Sequence, residues 1–229
     1  VREVRLADRT FNEQIKRCRI LLELFRREFP DISFHLEIEP ARLTAAVLEE
    51  LALARPGRLH LEVGVQCMSR PVLQAVNRKS SITRTRKKLE QLCALQNIAV
   101  HADLLAGLPR QTLADLAADI VFLSRLGPAE IQLELLKLLP GTRLAEERRR
   151  FGLVASQNPP YQILSTPEMS EQDIATAGRL AILVDGLYNN SELQQIMRKA
   201  TARDPRLWLA MAGSLDPAYC NPKNGWPLE

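Results

Sequence analysis

Short runs that alternate apolar and polar residues recur along this chain, each followed by a helical pattern, and that repeat limits the fold more than any other feature. The strand-like runs are Val4–Ala7, Ser33–Ile38, Leu59–Val65, Ala99–Leu105 and Ile131–Leu136. Helical spacing fills Asn12–Phe29, Thr44–Ala54, Arg70–Asn77, Ile82–Gln96 and Thr112–Leu126, with Pro30, Pro56-Gly57 and Gly127-Pro128 closing helices before the next strand. Strand–helix units of roughly thirty residues predict right-handed crossovers and a parallel sheet. Each strand is two-faced. Phe34, Leu36 and Ile38 oppose His35, Glu37 and Glu39; Leu59, Leu61, Val63 and Val65 oppose His60, Glu62, Gly64 and Gln66. Val100, Ala102 and Leu104 oppose His101 and Asp103, while Ile131, Leu133 and Leu135 oppose Gln132 and Glu134. A doubly wound sheet buries both faces and reads as continuous apolar runs. Helices on one face and a polar opposite face predict a partial (β/α) barrel with a polar lumen. A parallel sheet with one wet face is the plainer form of the same pattern.

In the first helix Ile15, Leu22 and Phe25, with Ile20 and Leu24 alongside, form the apolar stripe behind Asn12 as N-cap, and Phe25, Phe29 and Phe122 fall at core positions. After Gly152 the pattern changes. Ser156–Pro167 reads as loop, and two helices follow over Ser170–Leu187 and Ser191–Ala200, the first with a capping-box opening at Ser170–Asp173. The tail from Asp204, which contains Trp208 and Trp226, reads as irregular. The expected domains are therefore a barrel over 1–152, a helical extension over 153–203 and an irregular tail over 204–229. Tyr161, Tyr188 and Trp208 suit either the barrel mouth or its packing.

Among 229 residues, 46% are hydrophobic and 25% charged, which excludes a disordered chain, and no apolar run reaches membrane-spanning length. No signal segment opens the chain, so a cytoplasmic setting is expected. Net charge is +4, which permits an anionic partner without requiring one. Cys18, Cys67, Cys93 and Cys220 form neither a disulfide framework nor a C-x-x-C metal pair.

Barrel enzymes keep their chemistry at the C-terminal ends of the strands. Those ends hold Asp8-Arg9-Thr10, Glu37–Pro40, Gln66, Asp103 with Gly107-Leu108-Pro109, and Leu138–Thr142. Carboxylates there suit hydroxyl or ammonium groups, Gln66 can donate and accept, and Gly107 permits close backbone approach to a flat ring.

Leu36-Glu37-Ile38-Glu39-Pro40, Glu62-Val63-Gly64-Val65-Gln66, Ala75-Val76-Asn77-Arg78 and the segment Asp103–Pro109 together resemble radical S-adenosylmethionine (SAM) enzymes. The branch is that of oxygen-independent coproporphyrinogen oxidases and cobalamin-binding radical SAM proteins. Asp8–Asn12, Leu135–Thr142 and Asn158–Ser165 look most like the cobalamin-binding group, the last of them like its C-terminal extension. The resemblance runs from about Val1 to Tyr188 in order and spacing.

It implies a partial (β/α)6 barrel that binds SAM: Glu37 at the ammonium, Arg78 at the carboxylate, Gln66 at the ribose or adjoining polar atoms and Asp103 near the adenosine. Gly107, Leu108 and the backbone around Leu138-Leu139 line the adenine, and Asp8 and Thr10 stand where the superfamily commonly has paired glycines. It further implies, for the full-length protein, a [4Fe–4S] cluster and reductive cleavage of SAM to a 5′-deoxyadenosyl radical, with cobalamin as a possible second cofactor from an upstream domain. Here the sequence departs from the pattern. The family's CxxxCxxC loop is absent, so this chain is not expected to ligate the cluster. It begins at Val1 within a strand, and the expectation is that the cluster-bearing unit lies upstream, leaving this chain inactive alone and opening a strand edge near Val4–Ala7.

Two other readings stand beside this one. His35-Leu36-Glu37, His60-Leu61-Glu62 and His101-Ala102-Asp103 place a histidine and a carboxylate on one face of three strands, the residue types of a metal-dependent hydrolase. The alternative for those histidines is hydrogen bonding within the lumen. A non-catalytic SAM- or RNA-binding scaffold is the other reading. Arg78-Lys79, Arg84, Arg86–Lys88 and Arg148–Arg150 are basic runs that suit either tRNA phosphates or a solvated helix face.

Overall fold

The computed structural model describes residues 1–215. Its strands are β1 (Glu3–Arg5), β2 (Ser33–Ile38), β3 (Leu59–Gln66), β4 (Ala99–Ala106), β5 (Glu130–Leu135), β6 (Val154–Ala155) and β7 (Ile163–Ser165). Its helices are α1 (Ile15–Glu28), α2 (Ala45–Ala52), α3 (Arg70–Ala75), α4 (Ile82–Cys93), α5 (Leu113–Leu126), α6 (Arg143–Glu146), α7 (Glu171–Leu183), α8 (Gln194–Arg203) and α9 (Leu207–Ser214). Five parallel strands form one sheet in the order β1-β2-β3-β4-β5, and β6 and β7 form an antiparallel pair. Strand neighbours that follow chain order are those of a barrel wall; a doubly wound sheet reverses at a switch point.

The chain divides into two compact units. The first contains Val1–Gln66, Ser80–Asp103 and Leu126–Glu130. Its strand alternation is the one expected: Leu36, Leu61, Val63 and Ala102 are fully buried, and the opposite-facing residues of β2, β3 and β4 are half-buried. α1 docks on β2 through Phe25, whose ring stacks on Phe34 with centroids 3.8 Å apart. Its buried stripe is narrower than expected, because Cys18 and Leu22 face inward while Ile20 and Leu24 are exposed. Phe29 is exposed too; it is the residue after the last turn of α1, where the chain leaves the core. At the sheet edge, β1 is short and carries Glu3 and Arg5 in an exposed ion pair, a device that discourages edge pairing.

Asn12 does not cap α1. The cap position is Gln14, without a side-chain hydrogen bond. Asn12 is fully buried and turns its amide onto the β2 exit, accepting from the Glu39 N–H at 3.0 Å and donating to the Glu39 carbonyl at 2.9 Å.

The second unit contains Cys67–Lys79, Leu104–Arg125 and the chain from Ile131 onward. Leu116, Ile120 and Leu123 of α5 are fully buried, as are Ala177 and Leu180 of α7. The capping box at α7 forms as expected, between Ser170 and Asp173. α7 then passes into a π-helical turn over Val184–Tyr188, so that Tyr188 is fully buried in the core. α8 starts at Gln194 and not at Ser191, because the Asn190 side chain accepts from the Glu192 N–H and delays the helix. Within the described residues the stretch after Asp204 is helical where an irregular tail was expected: α9 packs on α7 and buries Trp208 completely. Arg179 joins the two by donating to the Ala212 carbonyl at 2.7 Å. Cys220 and Trp226 lie outside the described residues. No helix among the described residues is long and apolar enough to cross a membrane.

Candidate functional site

The polar face of the first unit is stacked in layers. β1, β2 and β3 run in register, with Arg5 opposite His35 and His35 opposite His60. The His101 ring of β4 stands edge-on to both His35 and His60, with each centroid pair 6.0 Å apart. Side chains two residues further along each strand stand toward its C-terminal end. There Glu37 opposes Glu62 on β3, and Asp103 follows His101 on β4, so carboxylates overlie the histidines.

These histidines do not form a metal centre. His35 Nε2 lies 2.8 Å from Glu62 on the neighbouring strand, and His101 Nδ1 lies 3.4 Å from Glu130. Among the described residues no group of three or more His, Cys, Asp or Glu is placed to hold a metal ion. The arrangement offers no ligand set for the hydrolase reading, and the lumen hydrogen-bonding alternative describes His35, while His101 stands at ion-pair distance from Glu130.

Burial lowers the affinity of His101 for a proton below the usual value of 6.5. His60 and His35 act in the same direction, and Glu130 and Glu62 oppose them. The unfolded chain thus takes up this proton more readily, and stability falls as pH drops below 6.5. His101→Asn is expected to flatten the loss of stability as pH falls below 6.5, measured by urea unfolding at each pH. A slope unchanged by the substitution would contradict this account of His101.

The two acidic side chains at the β2 exit differ. Glu39 is engaged: Arg42 Nε donates to one oxygen at 2.8 Å and Ser80 Oγ to the other at 2.8 Å. Glu37 is half-buried, and among the described residues its carboxylate has no hydrogen-bond or ion-pair partner. The segment after β1 is pinned beside it, because the Phe11 N–H donates to the Glu37 carbonyl at 2.7 Å. Along that segment Asp8 pairs with Arg17 of α1 at 2.7 Å, and Thr10 Oγ1 donates to the Arg9 carbonyl. Asp8 and Thr10 are thus committed to local structure, and Glu37 presents the open group. Gln66 closes β3 with φ of 65°, four residues beyond Glu62 and so about 13 Å along the strand from it.

In the second unit Arg78 is half-buried, and its N–H donates to the Leu73 carbonyl as the chain leaves α3. The loop after β4 is shaped by Gln111, which the sequence reading missed. Gln111 is fully buried; its Oε1 accepts from the Gly107 and Leu108 N–H groups at 2.9 and 3.1 Å, and its Nε2 donates to the Leu105 carbonyl at 2.9 Å. The side chain takes the part of a neighbouring strand. Gly107 has φ of 86°, and a Cβ built there would lie 2.7 Å from Ile163 of β7, so its small size is required by packing within the chain. Leu108 is buried, whereas Leu139 is half-exposed. The β7 segment also holds the β5 exit, since Ile163 N–H donates to Leu136 and Leu138 N–H to Tyr161.

Cys18 and Cys67 are buried, and Cys93 is half-buried. Burial raises the Cys18 thiol to about 11 and raises Cys67 further, helped in the latter by Asp119. Cluster ligation needs thiolates gathered in one place.

Similar proteins bear on this geometry. Residues 149–206 match a family model described as "Protein of unknown function (DUF4080)". The oxygen-independent coproporphyrinogen III oxidase of Cereibacter sphaeroides is 31% identical over 101 residues, 44% of this chain and 22% of that protein. An uncharacterized protein of Sinorhizobium fredii is 34% identical over 95 residues, 40% of this chain and 36% of that protein. The chain therefore matches only a minor part of the length of these relatives. Among solved structures, the radical SAM methyltransferase TsrM from Kitasatospora setae, with cobalamin and a [4Fe–4S] cluster bound, matches with a TM-score of 0.56 at 18% identity. That match covers 69% of this chain and 33% of TsrM. The cobalamin-dependent SAM radical enzyme OxsB matches with a TM-score of 0.57 at 13% identity, covering 94% of this chain and 40% of OxsB. The fold is that of radical SAM enzymes, and the resemblance read from the motifs is shared by these relatives.

Proposed function

We propose that this chain, which carries the radical SAM fold, is the SAM-binding part of a radical SAM enzyme of the cobalamin-binding or coproporphyrinogen oxidase-like branch. The observation that carries the reading is the half-buried layer of Glu37, Glu62 and Asp103, in which Glu37 is the open carboxylate. SAM joins an ammonium and a sulfonium to one carboxylate and is a net cation, and a carboxylate layer favours such a ligand. Glu37 takes the ammonium and Arg78 the carboxylate. Gln66 takes the ribose hydroxyls, and Asp103 lies toward the adenosine. Leu139 supplies apolar surface for the adenine, while Gly107 and Leu108, whose N–H groups Gln111 consumes, shape the loop without donating to the ligand.

When bound, SAM supplies a sulfonium bond open to one-electron cleavage, and the chain's own part is to orient it and limit its exposure to water. Among the described residues no three His, Cys, Asp or Glu are placed together to hold a metal, so the ligands of a [4Fe–4S] cluster, like any cobalamin site, are assigned to other parts of the full-length protein. The substrate is left open; Arg84 and Arg86–Lys88 belong to α4, where Thr85, Leu89 and Leu92 face inward, and a solvated helix face accounts for them. Titration of the chain with SAM and with S-adenosylhomocysteine, which lacks the sulfonium charge, tests the proposal. SAM is expected to saturate one site with Kd of roughly 0.1–1 mM and to bind several-fold tighter than S-adenosylhomocysteine. Equal affinities, or no saturable binding, would overturn it.

A further inference from the structure

A cleft of about 270 Å³ lies wholly within the second unit, between the end of α3 and the segment around α6. Three arginines line it, Arg110, Arg143 and Arg150, together with Asn77, Glu147 and Phe151. Glu147 is the acidic side chain of the lining. It accepts from Arg143 Nε at 2.9 Å and from Arg150 Nη1 at 3.4 Å, which positions both guanidinium groups while using one N–H of each. Among the lining residues the positive charges thus exceed the negative by two. The Arg110 guanidinium has no carboxylate partner among the described residues.

The backbone supports the same conclusion. Arg110 has φ of 67° and Asn77 φ of 56°, so two non-glycine residues lining the cleft occupy the left-handed region. That conformation is costly for arginine and persists where surrounding structure holds it. Here the Arg110 N–H donates to Glu168 at 3.2 Å, and the adjoining Gln111 fastens the loop from the other side. The Arg150 guanidinium lies 5.2 Å from the centre of the Phe151 ring, so an aromatic face stands next to the charged groups.

We propose that this cleft binds a phosphorylated ligand, with Arg110 and Arg143 on the phosphate and the Arg150–Phe151 pair beside the attached ring or sugar. Guanidinium forks match phosphate oxygens bidentately, and a phosphate monoester carries close to two negative charges near neutral pH, equal to the excess in the cleft. A volume just below the usual range for ligand pockets admits a phosphate with a single attached unit. The same chemistry is offered by a free mononucleotide or by the phosphorylated end of an RNA. The site does not rest on the SAM reading.

The test is calorimetric titration of the full chain at low salt with AMP, adenosine, succinate and a short RNA with and without a 5′-phosphate. AMP is expected to bind saturably, adenosine not to bind, and saturating SAM to leave the AMP affinity unchanged. Arg110→Gln and Arg143→Gln are each expected to weaken AMP about tenfold. Arg148→Gln and Arg149→Gln change the same charge outside the cleft and are expected to leave AMP binding within about twofold. Tighter binding of the phosphorylated RNA than of AMP assigns the ligand to an RNA end; the reverse assigns it to a free nucleotide. Absence of AMP binding, equal losses in the Arg148 and Arg149 variants, competition by SAM, or succinate binding as tight as AMP would each overturn the proposal.

Discussion

Gln111→Ala is expected to lower the unfolding free energy by about 3 kcal/mol, because it strands two backbone N–H groups and one carbonyl in a fully buried position. For a chain of this size that corresponds to a fall in Tm of about 6–12 °C. Gln111→Glu is expected to be worse: a carboxylate keeps the two acceptor contacts but loses the donor to Leu105 and places a charge in the core. Gln132, an exposed glutamine on β5, is the control, and Gln132→Ala should change stability by no more than about 0.5 kcal/mol. Thermal and urea unfolding of the three variants checks the ranking. A Gln111→Ala chain as stable as the Gln132→Ala chain would mean that the loop relaxes without its side-chain brace.

Glu37→Gln is expected to weaken SAM at least tenfold, since it removes the one carboxylate at the β2 exit with no partner among the described residues. Glu39 is the informative neighbour. Its oxygens are already engaged by Arg42 and Ser80, so Glu39→Gln loses an ion pair that belongs to the fold and is expected to change SAM affinity by about twofold or less. The two substitutions are isosteric and two residues apart on the same face, so the difference between them isolates the role of the open carboxylate from any general effect of charge.

The strands were legible because each buries only one face. Period two in Phe34–Ile38, Leu59–Val65 and Val100–Leu104 survives directly as burial, and every predicted strand forms within two residues of its expected bounds. The histidine and carboxylate faces followed from the same alternation. What the sequence concealed was the work of side-chain amides at the ends of these elements. Asn12 reads as a helix cap by residue type, yet it pairs with the Glu39 backbone; Asn189 does the same at Ile131, with both bonds at 3.0 Å. Gln111 and Asn97 close a loop and a helix end in the same manner, Asn97 donating to the Leu51 and Ala54 carbonyls. Such contacts join residues tens of positions apart in most cases and leave no periodic trace.

α9 was missed for a related reason. Its short sequence is apolar on nearly every side, so it lacks the amphipathic stripe by which a surface helix is recognised, and its place is set by the burial of Trp208. In the site, the partner of each carboxylate decided its role, and that information is three-dimensional: Glu37 and Glu39 look alike in the sequence and differ only in what reaches them.

Equilibrium dialysis of labelled SAM against the wild-type, Glu37→Gln and Glu39→Gln chains under one set of conditions reads out whether a cationic SAM molecule is held through Glu37. Saturable binding by the wild type is expected, with at least a tenfold loss in Glu37→Gln and near-wild-type affinity in Glu39→Gln. Equal binding by all three chains, or a loss confined to Glu39→Gln, would contradict binding through Glu37.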